Sequence, residues 1–70
     1  MSIRFVANVT MPLYVGAPAQ VHPFWRQDTV ANPGHEGRDN AGGQFVAGEL
    51  ATFRPEQEQT LVDLGLAVFA

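Results

Sequence analysis

The stretch Gly48 to Ala70, GELATFRPEQEQTLVDLGLAVFA, decides how this 70-residue chain is read. It opens with an extended run, turns into a helix at a proline, stops at a glycine and ends on an apolar strand. Pro55 suits a first helical position, where its missing N–H has no bond to lose, and Glu56 follows in the first turn, where negative charge favours the helix dipole. A helix is therefore predicted near residues 55–64. Leu61 and Leu64 share a face three apart. Gly65 is placed to take the left-handed conformation that ends helices, with Leu66 packing back on Leu61 in a Schellman arrangement. LAVFA then rejoins a sheet.

Upstream, QFVAGELATF carries β-branched and aromatic residues on both parities, with Gly48 as a bulge or a hairpin turn. Two short strands or one bent strand fit equally well. At the other end of the chain, IRFVANVT alternates Ile3, Phe5, Ala7 and Val9 with Arg4, Val6, Asn8 and Thr10. That is the period-2 pattern of a half-buried strand, expected over about residues 2–9. Pro12, Pro18 and Pro23 then punctuate the chain and each removes a ladder donor. Only short or edge strands are expected there, near Leu13–Val15 and Gln20–Phe24, with a turn at Gly16. The fold class expected is α+β: a small β-rich domain of three to five short strands with one C-terminal helix, all within a single domain over 1–70.

Residues 26–44, RQDTVANPGHEGRDNAGGQ, hold only one large apolar side chain, Val30, among four glycines, a proline, two asparagines and two aspartates. This is loop composition, and a loop of such length in a compact domain is usually functional or disordered. It is read as an extended polar arm. The glycines match no phosphate-cradling loop, since no Lys-Ser/Thr pair follows them. They suit a backbone that follows another protein's surface.

Composition narrows the function classes. A domain of 70 residues buries only about 60% of its unfolded surface and needs a staple. With no cysteine that staple cannot be a disulfide, so a partner or self-association is expected. A net charge of −3 argues against binding a nucleic-acid backbone, which clustered Lys and Arg would neutralise. No apolar run approaches the roughly 20 residues of a membrane span, and MSIRFVANVT lacks the apolar core of a signal peptide, so neither a membrane nor standard export is expected. All four basic residues are arginines. Codon usage in a GC-rich genome would account for that, as would the fit of arginine's planar fork to interface ion pairs.

The succession FVAGELATFRPEQEQTLVDLGLA resembles a tail found in small proteins encoded among the head genes of tailed bacteriophages. In these a glycine and an acidic residue begin a strand, a short helix carries a Leu-Val or Leu-Ile pair, and Gly-x-Ala ends it. The matching positions are Gly48, Glu49, Phe53, Pro55, Glu56, Leu61, Val62, Gly65 and Ala67, about a third of the chain. Arg54 stands where such tails carry a cap former, and Gln57 and Glu58 where they carry a small apolar residue. The resemblance implies a virion protein assembled in the host cytoplasm, such as a capsid cement or decoration protein. Its partner would be the major capsid protein or another virion protein, with oligomers only within the assembly. A head–tail connector or tail component is the alternative within virions, and a soluble regulatory module that binds a host protein is the alternative outside them.

Chemistry-bearing residues are sparse. His22, His35, Glu36 and Asp39 lack the His-Glu-x-x-His spacing that sets two imidazoles on one helix face, so neither a metal nor a cofactor is expected. None of the hydroxyls of Ser2, Thr10, Tyr14, Thr29, Thr52 and Thr60 lies beside a histidine in sequence, and no enzyme activity is expected. HPFWRQD, His22 to Asp28, holds the single tryptophan beside Phe24 and Arg26, and tryptophan and arginine are enriched at interface hot spots. Phe24 is expected inside and Trp25 at a partner surface. The candidate partner-binding residues are Trp25, Arg26, His35 and Arg38, with Arg26 and Arg38 pairing to acidic groups of the partner.

Overall fold

The computed structural model describes residues 1–16, 23–32 and 43–70. Among these residues there are five short strands and one helix: β1 (Ile3–Phe5), β2 (Val9–Met11), β3 (Gly43–Phe45), β4 (Leu50–Ala51), α1 (Pro55–Asp63) and β5 (Ala67–Phe69). A three-stranded sheet runs β4-β1-β5 and a two-stranded sheet pairs β2 with β3, all antiparallel. This is the small α+β domain expected from sequence.

The single strand expected over 2–9 is two strands in two sheets. Ile3 and Phe5 face the core from β1, and Val9 and Met11 face it from β2. The ladder of the larger sheet ends where the Val6 N–H donates to the Leu66 carbonyl, and the chain then bends. At the bend the Asn8 side chain, not its backbone, accepts the Ala47 N–H at 2.9 Å. Apolar alternation simply continues across the break, because both strands turn the same parity inward.

Of the strands expected near Leu13–Val15 and Gln20–Phe24, a single bridge between Leu13 and Phe24 is present, closed by two backbone bonds of 2.8 Å. Residues 20–22 lie outside the described residues. Pro12 and Pro23 flank the bridge and neither has an N–H to extend it. QFVAGELATF is two strands, β3 and β4, one in each sheet. Gly48 is both turn and bulge: Glu49 N–H closes a turn onto the Val46 carbonyl, while Phe5 faces two residues, accepting from Gly48 N–H and donating to the Glu49 carbonyl.

The helix starts at Pro55 as expected, with Arg54 as its N-cap. Arg54 has no acceptor atom, so it cannot cap through its own side chain. Two later side chains reach back instead. The Gln57 amide oxygen accepts the Arg54 N–H at 3.2 Å, and the Glu58 carboxylate accepts the Phe53 N–H at 3.0 Å. Glu58 is 1% exposed, so its bond to Phe53 is made where water cannot substitute. The buried face of α1 is therefore Glu58 with Leu61; Leu64, expected to share it, is the C-cap and half-exposed. Beyond it Gly65 takes φ +78°, and Gly65 and Leu66 donate to Val62 and Leu61, the Schellman pattern.

The aromatic rings join these pieces. Phe5 and Phe45 stack with centroids 4.6 Å apart, Phe45 meets Phe53 edge-on at 5.9 Å, and Phe24 meets Phe53 edge-on at 6.2 Å. β1, β3, the Leu13–Phe24 bridge and the approach to α1 thus share one core.

Glu58→Ala leaves the buried Phe53 N–H without an acceptor and is expected to destabilise the domain by about 1–3 kcal/mol in denaturant unfolding. Glu58→Gln keeps an acceptor oxygen and is expected to lose less. Equal losses in the two variants would show that the charge, not the hydrogen bond, is what matters at this position.

Candidate partner-binding surface

Of the stretch expected as a polar arm over 26–44, residues 26–32 and 43–44 are described. Gly43 and Gln44 belong to β3, and Trp25 to Asn32 form a compact base built of turns. The Asp28 N–H donates to the Trp25 carbonyl, and Thr29 and Asn32 exchange backbone bonds, with Asn32 N–H also donating to Thr29 Oγ1. Residues 33–42 lie outside the described residues, and with them His35 and Arg38.

Three contacts tie this base to the domain. Buried Asp28 accepts the Gln57 amide at 3.0 Å, which links it to the first turn of α1. The Val30 N–H donates to the Thr52 carbonyl just past β4. Arg26 makes the third contact, donating from Nη1 to the Gln44 carbonyl at 2.8 Å and from Nη2 to Glu49 Oε2 at 2.6 Å. Its guanidinium carbon lies 4.2 Å from the Phe45 ring centroid. Because Phe5 already stacks on one face of that ring, the cation takes the other. A cation over a ring contributes about 0.5–1 kcal/mol where solvent still reaches it. Gly43 makes room for this side chain: a Cβ there would come within 3.0 Å of Arg26 Cδ.

Arg26, expected to pair with a partner's acids, closes an ion pair within the chain, with the two side chains 40% and 27% exposed. The Arg26 hydrogen bond holds the Glu49 carboxyl below the ordinary glutamate range, opposed by partial burial and aided by the Val46 N–H. Trp25 is half-buried and Phe24 is in the core.

Beside the base, along the outer edge of β4, runs an open groove of about 380 Å³. It is lined by Arg26, Phe45 and Glu49, by Thr29 and Ala31 of the base, and by Leu50 to Thr52. The pairing of Phe5 with Glu49 turns the backbone of Glu49 and Ala51 toward β1, so that of Leu50 and Thr52 faces the groove. The bond from Val30 to Thr52 confirms the direction. Val30 itself is 57% exposed.

Several hydroxyls are engaged within the fold. Ser2 and Thr52 hydroxyls bond each other at 2.8 Å, and Thr60 donates to the Glu56 carbonyl. Among the described residues no three of His, Asp and Glu converge on a point that could hold a metal ion, and no helix is long and apolar enough to cross a membrane. Sequence reading missed Asp28 and Glu58 as buried anchors. Glu58 left a signal, since it lies one helical turn before Leu61. Asp28 left none in a stretch of loop composition. Compared with protein-family models, curated proteins and solved structures, the chain matches none of them.

Glu49 has a depressed folded-state pKa, so its pairing stabilises the fold fully above the ordinary glutamate pKa of about 4.3 and the contribution is lost as pH falls through the lower folded value. Glu49→Gln is therefore expected to cost about 1 kcal/mol or less at neutral pH, the scale of a partly exposed pair. The gap from the parent chain should narrow below that range in denaturant melts taken across acid pH. A gap that is constant with pH would assign the loss to packing.

Proposed function

We propose that this chain is a structural binding protein of virus particles: a cement or decoration protein that clamps the outer surface of a tailed-bacteriophage head shell. The observation that carries the reading is the anchored base at Trp25 to Asn32, fixed by Arg26, Asp28 and Val30 beside the open groove along β4. A rim fixed at three points to a small domain suits a permanent contact with another protein, and the groove is too open to enclose a small molecule. The resemblance of the C-terminal third supplies the setting. Several positions that carry it have distinct work in the fold: Gly48 makes the bulge, Glu49 pairs with Arg26, Phe53 and Leu61 are buried, and Gly65 ends the helix.

Size supports a partner of this kind. A standard contact of about 800 Å² per side would cover about a fifth of the chain's 4116 Å² accessible surface. Such a contact supplies what a cysteine-free domain lacks.

Mass spectrometry of gradient-purified particles, with copy number taken against the major shell protein, tests the reading. Hundreds of copies per particle are expected. A count of about six or twelve would point to a closed connector ring. Absence from particles would overturn the virion reading and direct attention to a regulatory module that binds a host protein.

A further inference from the structure

The three-stranded sheet has a second face, turned away from the core, of which the reading above uses only Leu50, where it borders the groove. Ile3 and Phe5 point inward from β1, so Arg4 and Val6 point outward. In the register of the sheet Arg4 lies opposite Leu50 on one side and opposite Val68 on the other. The three side chains form one row across the sheet, near enough to touch a common ligand. Leu50, Val68 and Val6 are 54%, 47% and 50% exposed, so open aliphatic side chains flank a single cation.

Arg4 is held but not used up. Its Nη1 donates to the Gly48 carbonyl at 3.0 Å, which fixes the guanidinium beside the bulge, and the rest of its five N–H donors have no partner among the described residues. A second copy of this chain is a poor occupant. A two-fold contact centred on the row would bring two Arg4 guanidinium groups together, and like charges across an interface are costly. A carboxylate is the complementary group, since the planar guanidinium fork takes it in two parallel bonds.

We propose that this face binds a partner protein through a surface carboxylate set among aliphatic side chains, with the carboxylate on Arg4 and the aliphatic groups against Val6, Leu50 and Val68. The proposal rests on the reading of the chain as a binding protein and names the chemistry of what it binds. It places a second contact beside the groove, since Leu50 borders both.

The test uses the whole chain and isovalerate, a small carboxylate with a branched aliphatic end. Methyl signals of Val6, Leu50 and Val68 and the Arg4 Nε–H are followed by NMR as isovalerate is added. Saturable shifts confined to these groups are expected, with Kd of about 1–10 mM for so small a ligand. Arg4→Gln is expected to weaken binding by about tenfold or more, Arg4→Lys to fall between, and isopentylamine, a cation of the same shape, to give no response. Absence of shifts, equal binding by Arg4→Gln, or an equal response to the amine would overturn the proposal. This outcome does not depend on particles. Where the chain is found on particles, Arg4→Glu retained at the parent copy number would overturn the assigned face and leave the virion reading intact.

Discussion

The ring of Phe45 sits where the two sheets meet, and the other contacts of the domain are arranged around it. A two-stranded sheet such as β2-β3 is marginal alone in water, and the three-stranded sheet turns only one face to the core. The stack of Phe45 on Phe5 couples them, the edge contact with Phe53 brings in the segment that leads to the helix, and Arg26 covers the remaining face. The cation over the ring is also the residue that grips Gln44 and Glu49, so one side chain closes the core and anchors the polar base. In so small a core, packing and surface attachment are the same set of atoms.

The last third of the chain was legible because its signals are local. Proline at the first helical position, a glycine after the last turn and the leucine that packs inward each act within a few residues, and α1, Gly65 and β5 stand where those signals put them. What sequence could not show is long-range. Arg54 looked like a missing cap and Gln57 and Glu58 like misplaced polar residues. The structure makes these two departures into one device, because the later pair accepts the N–H groups that Arg54 and Phe53 leave open. The break between β1 and β2 was invisible for a different reason: alternation reports which face is buried and not which sheet it belongs to. The intrachain use of Arg26 depends on a contact 23 residues away. Composition marked that arginine as notable without naming its partner.

The groove along β4 and the outer face of the sheet meet at Leu50, whose backbone faces the one and whose side chain lies on the other. This gives the domain one broad surface with two chemistries. The groove offers backbone hydrogen bonds and a fixed rim, and the face offers apolar area around one cation. Directional bonds set register, while desolvated apolar contact with a central charge pair sets affinity and choice of partner. The two together suit an attachment that must hold one orientation.

The central position of β1 has a consequence for how the chain comes to be folded. β1 is synthesised first, yet its neighbours in the sheet are β4 and β5, which reach it only after most of the chain has been made. Every ladder bond of the larger sheet closes a long loop, so the entropy of closure precedes the reward. Until β4 and β5 have both emerged, at least one edge of β1 stays open. In that interval the growing chain carries an open strand that any neighbouring strand edge could capture.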